Sequence, residues 1–179
     1  MKTILLLVVL LFLTSFASAS SVIVSVTDAS GGSGATVGVP INLEDASNVG
    51  SMDIRMSYDT GVLHPIGVDN GELSKNAYLE SNTASNGEVV IALADASGIS
   101  GSGQIALVSF EVVGDTGSSS PLILEEVSVH DIERVEVITT TEDGTFSVTD
   151  EAKGAGYANA SLLAIGSLFM ALYVIRRRK

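Results

Sequence analysis

Few side chains in this 179-residue sequence have chemistry to offer, and their spacing is more telling than their number. Ser51, Asp53 and Arg55 occupy every second position of Ser51-Met-Asp-Ile-Arg-Met-Ser-Tyr58, alternating with Met52, Ile54, Met56 and Tyr58. Successive strand residues point to opposite faces, so the pattern predicts a half-buried strand that carries a hydroxyl, a carboxylate and a guanidinium in one outward line. Such a line suits hydrogen-bonded recognition of a partner, or simple solvation. Catalysis has poorer material. There is no cysteine, and the two histidines, His64 before Pro65 and His130 beside Asp131, read as surface or packing groups rather than as the base of a nucleophilic serine. Glu125-Glu126 and Glu142-Asp143 are the carboxylate pairs that glycoside hydrolysis would want, but neighbours on a strand point apart, so neither pair makes a cleft. No EF-hand pattern is present, and no metal or cofactor is assigned to this chain.

The elements that must position these residues read as all-β. Val22, Val24 and Val26 alternate with Ile23, Ser25 and Thr27, and Val37, Val39, Ile41 and Leu43 share one face of Thr36–Leu43. Pro40 lacks a ladder donor and predicts an edge strand or a bulge there. Asp59-Thr-Gly61 supplies turn chemistry after the opening strand. Further strands are expected over 62–68, 88–94, 104–113, 122–129, 135–140 and 145–148, about nine in all. Ala29–Gly34 reads as a turn-rich connection, the part around Asn70-Gly71 and Ser81–Asn86 as irregular, and Asp95–Gly103 as a long glycine-rich loop. That loop is no phosphate cradle, because it lacks the lysine and the strand-to-helix setting. In strand 88–94, Glu88, Val90, Ala92 and Ala94 share one face and Val89, Ile91 and Leu93 the other, so both faces are partly apolar although an outer face should be polar. Burial on both sides and an exposed binding patch are the two accounts of it.

Composition bounds the rest. The length suits one domain with a real core. Residues 20–153 hold all 21 acidic side chains and only four basic ones, which disfavours a nucleic-acid partner. Lys2, the apolar run Ile4–Leu13 and Ala17-Ser-Ala19 form an N-terminal signal peptide, residues 1–19. After the domain at 20–150 and a short linker at 151–156, residues 157–175 carry no charge and span about 28 Å as a helix. The basic tail 176–179 then stays cytoplasmic, and the acidic domain lies at the cell surface. The same tail resembles the sorting signals of prokaryotic surface proteins, in which case the span is removed.

Taken in order, Gly34-Ala-Thr-Val-Gly-Val-Pro-Ile-Asn-Leu43, Ser51–Asp59 with Val62-Leu63, Ala94-Asp-Ala-Ser-Gly98 and Gly103–Val112 resemble the cohesin domains, over Val22 to Val148. The resemblance implies a nine-stranded jelly-roll β-sandwich that docks the dockerin modules of other proteins, with calcium in the dockerin and none here. It also implies a binding face. Asp53 matches a recognition aspartate, Ser51 stands where an amide is common, and Arg55 takes a position that is often apolar. Val90 and Ala92 match outward apolar contacts, Asp95 an acidic position, and Gly98 a glycine beside it. Tyr58-Asp-Thr60 departs from the usual Tyr-Asp-Pro turn. The expected function is therefore that of a non-catalytic surface module tethering dockerin-bearing proteins to the membrane. A carbohydrate-binding module with a polysaccharide partner, and a structural adhesin or surface-layer component, are the alternatives. The first of these is poor in rings for stacking, with no Trp and two of four tyrosines, Tyr157 and Tyr173, in the span.

Overall fold

Alternating Val, Ile, Met and Leu positions build two facing sheets, whose inner sides make one core. The computed structural model describes residues 21–84 and 87–150. The segments expected as signal peptide, linker, membrane span and basic tail lie outside the described residues. Within them are nine strands: β1 (Ser21–Val26), β2 (Ala29–Gly32), β3 (Thr36–Ser57), β4 (Leu63–Asn70), β5 (Tyr78–Asn82), β6 (Glu88–Val112), β7 (Ser119–Asp131), β8 (Ile138–Glu142) and β9 (Gly144–Thr149). The architecture is an all-β sandwich.

Two long strands, β3 and β6, pair with each other along their whole length and run through both sheets. Their Thr36–Leu43 and Gly103–Glu111 halves form one sheet with β1 and β4. Their Ser51–Ser57 and Glu88–Ala94 halves form the other with β5 and β7. The first and last strands pair in parallel with one constant register, Ser21 opposite Ile138 and Ala29 opposite Phe146. Their second halves, β2 and β9, cross over to join β7 in the opposite sheet.

Three expectations are corrected here. Asp95–Gly103 is not a loop but the middle of β6, and Ala29–Gly32 is a strand rather than a connection. Ser81 and Asn82 end a strand, β5, that the polar sequence hid. The nine strands expected and the nine found thus differ in their partition: two expected pairs fuse into β3 and β6, and β2 and β5 are added. The fusion has a physical cause. Register shifts between Leu43 and Ser51 let β3 turn the corner, with Asp45 and Asn48 in left-handed conformations. The Ser102 and Ser100 hydroxyls accept the backbone N–H groups of Asp45 and Asn48 at 3.0 and 2.9 Å, so the bend keeps its hydrogen bonds.

Of the edge or bulge expected at Pro40, the edge is ruled out, since β3 has β1 on one side and β6 on the other, while a register shift against β6 does follow at Ile41/Asn42. It stands where the β1 ladder stops: Thr27 donates to the Pro40 carbonyl at 3.1 Å, and no strand continues beyond to miss the absent donor. The inward residues behave as their alternation requires. Met52, Ile54 and Met56 are buried, as are Val39, Ile41, Leu43, Val89, Ile91 and Leu93. Tyr58 is half-buried and sets its ring edge-on to Phe110, with centroids 5.4 Å apart. Asp59 makes the turn after β3, accepting the Gly61 N–H on its carboxylate at 2.8 Å. Close approach fixes Gly71, where a Cβ would collide with the Gln104 carbonyl oxygen. Beside it the buried Ser74 hydroxyl bonds to Gly71 and Ile105.

Candidate binding face

Pairing across β5-β6-β3-β7 lines up the outward side chains in three rows. The first is Tyr78, Ala94, Ser51 and His130; the second Glu80, Ala92, Asp53 and Ser128; the third Asn82, Val90, Arg55 and Glu126. Asp53, Ala92, Ala94, Tyr78 and Glu80 are exposed, and Ser51, Val90 and His130 half-buried. Val89, Ile91 and Leu93 on the reverse side are buried, so strand 88–94 is not buried on both sides. Its outward residues form an apolar strip down the middle of an open sheet face.

Five of the seven residues proposed from sequence thus stand together: Ser51, Asp53, Arg55, Val90 and Ala92, with Asp53 directly opposite Ala92 and Arg55 opposite Val90. Asp95 and Gly98 are not in the rows. They belong to a segment of β6 that passes the Val49–Ser51 irregularity of β3, at the end of the face. Asp95 is half-buried, and its carboxylate accepts the Ser97 N–H at 2.8 Å, an Asx turn. Gly98 has φ 78°, and a Cβ there would lie 3.0 Å from Asn48 Cα and 3.1 Å from Ile132 Cγ2. A side chain would be strained and would push into the exposed Ile132 at this rim.

Arg55 is held from both sides. Its Nη1 lies 3.2 Å from Glu88 Oε2 and its Nε 3.5 Å from Glu126 Oε2. Ser57 donates to Glu125 at 2.8 Å. Glu125 and Glu126 therefore both serve the same face, against the expectation that they point apart. The reason is a bulge: Arg55 pairs with Glu126 but Met56 with Leu124, which leaves Glu125 as the extra residue. These carboxylates are bonded to Arg55 and Ser57 on an open surface and enclose no cleft. Asp143 is a structural acceptor, taking the Leu124 N–H at 2.8 Å. Ser51 and His130 are cross-strand neighbours, but no hydrogen bond joins them, and His64 is exposed elsewhere. Among the described residues no three His, Cys, Asp or Glu side chains converge as a metal site. A shallow groove by β7 and β8, lined by Val127, Val129, Glu136, Val137, Ile138 and Thr139, offers one carboxylate and one hydroxyl.

An open sheet face with an apolar strip between polar side chains suits a macromolecular surface better than a small substrate. The cohesin-domain profile matches residues 22–148, the whole sandwich. The chain belongs to the cohesin family. Cohesins are non-catalytic binding modules. A non-cellulosomal cohesin from the hyperthermophilic archaeon Archaeoglobus fulgidus is 28% identical, over 73% of this chain and 92% of that one, with a TM-score of 0.67. CaCohA2 from Clostridium acetobutylicum, solved in solution, is 26% identical over 75% and 94% of the two chains, with a TM-score of 0.65. The OlpC cohesin of Clostridium thermocellum, solved in complex with a dockerin, is 16% identical over 75% and 97%, with a TM-score of 0.67, a likeness of fold. No curated protein matches the sequence.

The sequence did not single out Tyr78, Glu80 and Asn82, nor Glu126, Ser128 and His130 as members of the face. For the β7 group the line-up depends on cross-strand register and the bulge. For β5 the only signal was a faint alternation, with Leu79 half-buried against the core between the exposed Tyr78 and Glu80.

Proposed function

We propose that this cohesin binds dockerin-bearing proteins through the β5-β6-β3-β7 face. The observation that carries this reading is the three-row arrangement: an apolar strip of Val90, Ala92 and Ala94 flanked by hydrogen-bonding groups on both sides. A helical partner laid across it would bury the strip and pair with Asp53 and Ser51. The OlpC relative, solved with its dockerin, has the same fold. The test is to immobilise the full-length chain and present a panel of calcium-loaded dockerins, each with and without chelator. At least one is expected to bind only with calcium. Capture of none, or capture indifferent to chelator, overturns the reading and favours an adhesin or surface-layer role.

The same proposal extends to tethering. The uncharged run 157–175 followed by Arg176-Arg-Arg-Lys179 supports a single membrane span with the cohesin outside. Protease applied to intact cells is expected to remove the cohesin while a tag placed after Lys179 stays protected. Digestion of that tag from outside would refute the orientation.

A further inference from the structure

Charge is unevenly spread over the binding face. In the third row Arg55 is closed off by Glu88 and Glu126. In the second row Glu80 and Asp53 flank Ala92, and among the described residues neither carboxylate has a hydrogen-bond or ion-pair partner. Strands about 4.8 Å apart set the two backbones roughly 10 Å from each other, with the short Ala92 side chain leaving a notch between. The surroundings do not compensate. The described residues hold three basic side chains, Arg55, Lys75 and Arg134, against 20 acidic ones, and Lys75 is occupied by Glu72 at 3.7 Å.

We infer that this face selects a dockerin whose contact surface is basic, with a lysine or arginine seated over Ala92 between Glu80 and Asp53. Arg55 then acts on affinity with the opposite sign to its neighbours. It is the face's one cation, it repels a basic partner, and it neutralises carboxylates that would otherwise attract one. This rests on the dockerin reading above and goes beyond it by naming the partner's chemistry. Complementary charge of this kind steers association and makes it salt-dependent.

The probe is whichever calcium-loaded dockerin of the panel binds the full-length wild-type chain most tightly, followed by kinetics on an immobilised chain. Between 50 and 500 mM NaCl its affinity is expected to fall about tenfold or more, mainly through the on-rate. Glu80→Gln is expected to weaken binding about three- to tenfold at low salt. Arg55→Gln should tighten it several-fold, where a residue that makes a favourable contact would instead lose affinity. Both are exposed positions, and the Arg55 ion pairs are surface pairs that add little to stability, so both variants remain folded. A salt-independent affinity, or weaker binding by Arg55→Gln, overturns this inference alone. Failure of every dockerin to bind overturns the functional reading and the inference with it.

Discussion

Val39→Asp is expected to unfold the domain. Val39 sits on β3 opposite Val108, both with 0% exposure, in the same buried cluster as Phe110 and Phe146. Neighbours Val37 and Ile41 on the same face offer no donor. A carboxylate placed there is either ionised without a partner or protonated without a hydrogen bond, and it also forfeits the valine's packing. The combined cost is about 4 kcal/mol or more. Domains of this size are stable by roughly 5–15 kcal/mol, so the loss takes most of the margin. Denaturant titration of the wild type and the variant measures it, with Thr36→Asp, at the exposed start of the same strand, as a control expected to change stability by about 0.5 kcal/mol or less. A Val39→Asp chain that melts near the wild type would mean that the inward face of β3 is not Val37, Val39, Ile41 and Leu43.

That face was legible because one period decides it. A shift of one residue would expose the entire apolar set, so Val39 and Ile41, like Met52, Ile54 and Met56, announce their side from alternation alone. The same rule identified Ser51, Asp53 and Arg55 as outward, but for Val90 and Ala92 it gave a shared face and not its side, because both faces of that strand are partly apolar; only the likeness to cohesins set them outward. Alternation has no access to partners across the sheet. That Asp53 stands opposite Ala92, or Arg55 opposite both Val90 and Glu126, is a matter of register, and register here is set by bulges at Leu43–Ser51 and at Glu125. Glycine misled in the other direction. Asp95–Gly103 has the composition of a loop, but its glycines and serines are what allow β6 to bend around the corner of β3 with Ser100 and Ser102 holding the Asn48 and Asp45 amides. Ala29–Gly32 likewise looks like a turn, and becomes a strand because β9 offers it a parallel partner. Short polar strands of this kind are specified by their neighbours more than by their own propensity.

Asp53→Ala is expected to weaken dockerin binding by about ten- to a hundredfold while leaving the melting temperature unchanged. Asp53 lies at the centre of the face, between Ala92 on β6 and Ser128 on β7, and its side chain is exposed. Its carboxylate makes no hydrogen bond or ion pair among the described residues, so the free domain loses nothing when it is removed. In a complex the position changes character. A helix seated on Val90, Ala92 and Ala94 excludes water from the centre, and a hydroxyl or cationic group of that helix then has Asp53 as its acceptor. A charge-assisted hydrogen bond contributes roughly 1.5–3 kcal/mol, which is the stated loss in affinity. Because the partner's donor would be left buried and unpaired, the effect should appear chiefly as faster dissociation, whereas the more peripheral Glu80 should act chiefly on association. Calorimetry of wild type and Asp53→Ala against the same calcium-loaded dockerin, with thermal melts of both chains, separates binding from stability. Equal affinities would move the binding face off β3, and a lowered melting temperature would make Asp53 a structural residue whose contribution to recognition is indirect.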